Sequence, residues 1–329
     1  MKKILIGAAI MIVSHVNAQQ KEYSYYKTIQ VGDALGWDYA AVDETNRNVY
    51  FSHGTSVLVV ATDKDAVIAE IPNTIGVHGI AFDHALNKGF ISNGKANSVT
   101  VFDLQTFKVK DTVAVTGTNP DAIMYDDFSK KVLVFNGKSN NATVIDPATL
   151  QILQTIVLPG KPEFAVTDGK GKIYVNIEDK SELVQLDAAN MRVLNTWPVA
   201  PGDEPSGLAI DAKNNLLFSV CSNKTLVVFD VAKGKVTASL PIGTKPDAVV
   251  FDAKEKMIIS SNGEGNATII KQLSPDSYKV VQTLSTQKGS KTMAMDNTTG
   301  KLYLPAAKFE GDTRKIIPGS FEILVYKVM

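Results

Sequence analysis

The sequence predicts an all-β protein, a single seven-bladed β-propeller with four short strands per blade. Three observations predict it. An aspartate closes an apolar stretch at Asp43, Asp83, Asp126, Asp168, Asp211, Asp252 and Asp296, at spacings of 40 to 44 residues, which is the length of a propeller blade. Each interval carries short β-rich runs separated by turn residues, with no helical periodicity. The two ends of the chain are complementary, the last repeat stopping one strand short and the first being preceded by a spare strand.

At the start, Lys2 and Lys3 precede ten apolar residues, Ile4 to Val13. This run is too short for a bilayer of ~30 Å and is followed by Val16-Asn17-Ala18, so residues 1–18 are expected to be a cleaved signal peptide and residues 19–329 one propeller domain. Gln19, not cysteine, follows the cleavage point, which excludes a lipoprotein and points to a periplasmic or extracellular protein. Tyr26 to Gly32 resembles the fourth-strand phrases Gln154-Thr155-Ile156-Val157 and Lys235 to Leu240 and is expected to complete the last blade. From each repeat aspartate a turn, such as Thr45-Asn46-Arg47 or Asn297 to Gly300, leads into a second strand, such as Val49-Tyr50-Phe51 or Ile173-Tyr174-Val175. Third strands read Val99 to Asp103, Thr143 to Asp146 and Thr225 to Asp230, and Val280 to Leu284 is a fourth. The last unit has only Thr292 to Asp296, Lys301 to Leu304 and Phe321 to Tyr326. Borrowing the N-terminal strand closes the ring and removes its free edges.

The 34 basic and 34 acidic residues cancel, leaving no field for nucleic acid. A single cysteine excludes a disulfide framework and thiolate zinc clusters. The four Asn-x-Thr tripeptides, among them Asn141 to Thr143 and Asn266 to Thr268, read as strand chemistry rather than glycan sites. No second apolar stretch reaches membrane length, so no membrane insertion is expected, and the protein is expected to be a monomer.

The Pro-Asp/Glu pairs entering first strands (Pro120-Asp121, Pro162-Glu163, Pro246-Asp247), Ile173-Tyr174-Val175-Asn176 in a second strand and Val101-Phe102-Asp103 in a third resemble the YVTN-type, YncE-like propellers over essentially the whole mature chain. Most second strands depart from the name motif, reading Phe51-Ser52 or Ile91-Ser92-Asn93. The resemblance implies a propeller fold and an exported binding or surface-layer-like protein. Some similar propellers are lactonases or other metal-dependent hydrolases.

Two columns of residues are expected at one end of the axial channel, where propellers usually bind ligands. Five positions before each repeat aspartate stand Asp38, His78, Asp121, Glu163, Ser206, Asp247 and Lys291, all polar. The second strands end at His53, Asn93, Asn136, Asn176, Cys221, Asn262 and Ala306. Carboxylates, imidazoles and amides around a funnel suit a hard divalent cation, an ammonium or a polyhydroxylated ligand. His53 and His78 with Asp38 or Asp121 form a candidate metal set whose bound water could serve as a nucleophile, with Glu163 or Asp247 as base. Against this, strand-end polar residues commonly cap turns, and Asn93, Asn136 and Asn262 precede glycine, which suits a left-handed turn. The repeat aspartates, present in every blade, read as turn formers, and Cys221 as a buried small hydrophobe. Lys291 opposite Asp121 and Glu163 suggests a dipolar mouth, and the long connection Ala306 to Gly319, with Lys308, Arg314 and Lys315, a recognition loop.

The sequence contains no Gly-x-Ser-x-Gly, Walker or dinucleotide motif. The expectation is therefore a non-enzymatic exported scaffold binding a small molecule, glycan or protein at the mouth through Asp38, His53, His78, Asp121, Glu163, Ser206, Asp247 and Lys291. The alternative is a metal-dependent, lactonase-like hydrolase at the same place. No organic cofactor is expected, and a divalent metal ion is the one candidate.

Overall fold

The computed structural model describes residues 22–311, 313 and 315–328, so the expected signal peptide lies outside the described residues. Seven four-stranded antiparallel sheets follow one another around an axis. Six blades are continuous in sequence, their innermost strands being Trp37–Asp43, Val77–Asp83, Pro120–Asp126, Pro162–Thr167, Pro205–Asp211 and Pro246–Asp252. The seventh combines Ala294–Asp296, Lys301–Ala306 and Glu322–Val328 with the N-terminal strand Tyr23–Gln30, which lies outermost, as the complementary ends predict.

The repeat aspartates act as turn formers. Asp43 accepts the backbone N–H of Asn46 at 2.9 Å, Asp83 that of Leu86 at 3.1 Å and Asp252 that of Glu255 at 2.9 Å. One carboxylate per hairpin thus satisfies donors that the tight turn leaves without a strand partner. Second and third strands are almost wholly buried, because both faces of each sheet are covered by neighbouring blades. Seven apolar clusters result among the described residues, each shared by two adjacent blades. Phe51, Phe321 and Tyr303, for instance, pack between blades 1 and 7.

That last interface also carries buried ion pairs. Arg47 of blade 1 reaches Asp296 of blade 7 with two parallel bonds of 2.7 and 2.8 Å. Lys301 of blade 7 meets Asp65 of blade 1 at 2.8 and 2.9 Å, and the Tyr303 hydroxyl donates to the same carboxylate at 2.9 Å. The Asp296 side chain is fully buried. Burial would raise its pKa, but the bonds from Arg47 and Thr299 outweigh it and hold the carboxyl at about 2.

Arg47→Ala leaves that carboxylate buried without its charge partner, so unfolding in denaturant should show a loss of about 3 kcal/mol. Because the native pKa is depressed, the contribution of Asp296 is present above pH ~4 and is lost as pH falls towards 2. The difference between wild type and variant should shrink over that interval.

Candidate functional site

A repeated irregularity at the start of the innermost strands builds the site. In six blades the register between first and second strands breaks just after the first residue, between Trp37 and Ala40, Val77 and Ile80, Pro120 and Ile123, Pro162 and Ala165, Pro205 and Leu208, and Pro246 and Ala248. Each break holds the predicted column residue, and a bulge there frees its side chain from the alternation of the strand. Neighbouring hydroxyls fix the bulges. The Asp38 N–H donates to Ser52 Oγ at 2.9 Å, the Gly79 N–H to Ser92 Oγ at 2.8 Å, and Ser92 Oγ in turn donates to the Asp121 carbonyl of the next blade.

Asp38, His78 and Asp121, from three consecutive blades, bring one ligand atom each to within 4.8 Å of one another. His78 Nδ1 lies 2.5 Å from Asp38 Oδ2 and 3.7 Å from Asp121 Oδ1. Behind the imidazole stands Gly94, where a Cβ would lie 2.6 Å from His78 Nε2, so only glycine lets the ring seat against the backbone. Burial alone would lower the His78 pKa, but the Asp38 hydrogen bond with Asp121 and Glu163 nearby raises it. Burial, reinforced by Asp38, pushes Asp121 up to about 6 despite the opposing pull of His78 and Lys161. Burial and Asp121 likewise lift Glu163 well above the usual carboxylate range against Lys161. Two imperfectly neutralised carboxyls beside an imidazole form a set that binds either protons or a cation.

Asp38, Asp121, Glu163, Ser206, Asp247 and Lys291 line one axial cavity of about 470 Å³. The mouth is not dipolar as the sequence suggested, because the charges interleave. Lys291 meets Asp247 at 2.6 Å, and Lys161 bridges Glu163, at 2.6 Å, and Glu178. The sequence columns missed Lys161, Glu178 and Tyr39. Glu178 follows a second strand where blades 1, 2, 3 and 6 carry glycine, and Tyr39 and Phe164 are the two aromatics in a row otherwise reading Gly79, Ala122, Gly207, Ala248 and Thr292. These two rings stack at 5.7 Å across the channel, and those departures from the repeat were the available signal.

His53, expected as a second imidazole ligand, is not part of the Asp38–His78–Asp121 cluster. It is buried, stacks on Phe321 at 4.3 Å, and its Nε2–H donates to Asp33 Oδ1 at 3.0 Å. The Asp33 carbonyl accepts from Gly319 at 3.0 Å, so His53 secures the ring closure at the mouth end. Asn93, Asn136 and Asn262 do not take the left-handed turn. They end their strands and donate to third-strand hydroxyls, as Asn93 does to Thr100 at 2.8 Å, while the positive φ falls later, at Asn97 and Asn140. Cys221 is buried, and burial pushes its thiol up to about 11, which removes it as a nucleophile. In the long blade-7 connection Phe309 pairs with Ile316 and packs on Trp37, and Lys315 pairs with Glu310. Arg314 lies outside the described residues.

Fold and site together define a seven-bladed β-propeller scaffold with an Asp/His/Asp cluster at its channel mouth, able to coordinate a divalent metal ion. The chain belongs to the family described as Domain of unknown function (DUF5074), whose family model matches residues 10–257. No curated protein matches it. Among solved structures it is similar to Kuenenia stuttgartiensis Hydrazine Synthase, at 17% identity over 94% of this chain and 99% of that one, with a TM-score of 0.70. At that identity the likeness is one of fold. Among the described residues no helix is long and apolar enough to cross a membrane.

Burial lowers the His53 pKa, with Asp33 opposing only in part. Protonation therefore favours the unfolded chain, and the stability His53 confers is present above pH ~6.5 and lost below it. Thermal melts from pH 7.5 to 5 should show this acid sensitivity, and His53→Gln should melt lower at pH 7.5 with a flatter profile.

Proposed function

We propose that the protein is a metal-dependent hydrolase whose cation is held by Asp38, His78 and Asp121 at the channel mouth. The observation that carries this is the convergence of their three ligand atoms within 4.8 Å. Three protein ligands leave coordination positions open for a water and a substrate oxygen, the arrangement of catalytic rather than structural sites. The reaction would be hydrolysis of an ester or lactone. Water oxygen bonds to the carbonyl carbon and gives its proton to Glu163, the carbon–oxygen bond to the alcohol breaks, and that proton passes to the departing alkoxide. Glu163 suits both steps, because burial, and after it the Asp121 charge, lifts its pKa, and a cation on Asp121 would remove the second of these contributions and favour the carboxylate beside Lys161. The interleaved ion pairs of Lys161 and Lys291 favour a second reading, a polar binding rim without catalysis.

Several features of the chain fit the same picture. We read residues 1–18 as an export signal, residues 19–329 as one propeller domain, and the protein as a periplasmic or extracellular monomer of YVTN-type, YncE-like character. Recovery of a protein beginning at Gln19 outside the cytoplasm tests the export reading.

Metal analysis by mass spectrometry, on protein purified without chelator, should find about one equivalent of a divalent ion, lost in His78→Ala and Asp121→Asn. Protons compete for His78 and Asp121, so metal affinity should fall as pH drops through 6. Asp121 itself stabilises the metal-free fold at acid pH and ceases to do so as pH rises through about 6, so the melting-temperature gain from added metal should be larger at pH 7.5 than at pH 5. An absence of metal in the wild type would overturn the hydrolase reading in favour of the binding rim.

A further inference from the structure

Outside the collar, where blades 6, 7 and 1 meet, lies a second cavity that the Asp38–His78–Asp121 cluster does not touch. It is a cleft of about 810 Å³, within the range of small-ligand sites, and it adjoins the axial cavity at Asp247 and Lys291, which line both. One wall is aromatic. Trp37 is half-buried, its ring centroid 5.3 Å from that of Phe321 beneath it and 6.2 Å from that of Phe309, which also lines the cleft. The Phe309 ring in turn rests against bare backbone, since a Cβ on Gly289 would lie 2.6 Å from it. The rim is cationic. Among the described residues that line the cleft, Lys245, Lys288 and Lys291 stand against one carboxylate, Asp247.

Two of these lysines are placed by one connected piece of backbone. The Gly263 N–H donates to the Lys245 carbonyl at 2.9 Å, the Gly289 N–H to the Gly263 carbonyl at 2.8 Å, and the Lys291 N–H to the Gly289 carbonyl at 2.9 Å. A Cβ on Gly263 would lie 3.1 Å from Lys245 Cβ and 3.6 Å from Lys291 Cβ, so the two stems stand on either side of a single glycine. Lys291 gives one donor to Asp247 at 2.6 Å, which leaves two of the three that an ammonium carries. Lys245 makes no ion pair with a described residue. A cationic rim above an aromatic wall complements a negative group attached to a ring. We propose that the cleft is a binding site for an organic anion, a ring that lies against Trp37 and Phe309 and carries a carboxylate held by Lys245 and Lys291. The site goes beyond the hydrolase reading, since no metal takes part in it.

Trp37 and Trp197 are the only tryptophans, so in a Trp197→Phe background fluorescence reports on the cleft alone. The protein is stripped of metal by chelator and dialysed, which keeps a carboxylate from binding through an ion at the collar and separates this test from that of the hydrolase. Benzoate and glucuronate are then titrated beside their uncharged counterparts, benzamide and glucose. At least one acid should bind about tenfold more tightly than its counterpart, the size of a charge-assisted hydrogen bond, and should lose affinity as salt is added. Tighter binding of benzoate assigns an aromatic acid, tighter binding of glucuronate an acidic sugar, and either keeps the site. Lys245→Ala should remove most of the preference for the acid. Gly36→Phe should block the cleft, because Gly36 lines it and a Cβ there would meet nothing within 4 Å. Thermal melts check that both variants are folded, and should Gly36→Phe fail to fold, Lys245→Ala and the comparison of acids with their counterparts still decide. Equal affinity for acid and counterpart, binding of none of the four, or acid binding unchanged in the folded variants would overturn the proposal.

Discussion

Everything in this molecule depends on joining blade 7 to blade 1. A ring of seven sheets buries its second and third strands only if each sheet has a neighbour on both faces, and that last contact is the one the chain cannot make locally. The contact is made with three kinds of bond at three levels. The outermost strand Tyr23–Gln30 pairs with Glu322–Val328 through backbone ladders. At one end of the channel Arg47 and Lys301 lock onto buried carboxylates of the opposite blade, and at the other His53 and Asp33 tie the first blade to the segment entering Glu322–Val328. The site lies near this closure. Asp38 belongs to blade 1, and its position follows from the same strand whose end carries Asp43.

The fold was legible because propeller physics is repetitive. A turn carboxylate, a buried second strand and a buried third strand must recur in every blade, and recurrence can be read at a fixed spacing without knowing a single contact. The column at the mouth was legible for the same reason, since Asp38, His78 and Asp121 occupy one repeat position. Other features could not be read that way. The role of His53 was misassigned because its position in the repeat predicts only that it ends a strand near the mouth. The stacking of Phe321 over its ring and the carboxylate of Asp33 come from segments outside the repeat. Lys161 and Glu178 escaped because their pairing joins two loops of blade 4 whose side-chain directions the spacing does not fix. The asparagines were placed in the wrong turn for a subtler reason: the glycine that follows ends the strand, at Gly94 making room for the His78 ring, and the left-handed residue comes at Asn97 or Asn140, where the turn reverses.

The electrostatics of the collar follow from geometry that the blades impose. Because each innermost strand delivers one polar side chain to the same small circumference, like charges are forced into proximity and neutralised in pairs, Lys291 with Asp247 and Lys161 with Glu163. The sector formed by Asp38, His78 and Asp121 has three polar groups and only one potential cation among them. That imbalance makes it the part of the ring with an unmet demand for positive charge.

The bulge repeated at the head of six innermost strands has an evolutionary consequence. It uncouples the residue that faces a ligand from the residues that hold the sheets together, since the hydroxyls of Ser52 and Ser92 fix the backbone there and not the side chain of the column residue. Six positions can therefore be exchanged, with acid, base, amide or imidazole, while the interiors between blades stay as they are. Chains of this architecture can diverge in specificity by point substitution around one circle.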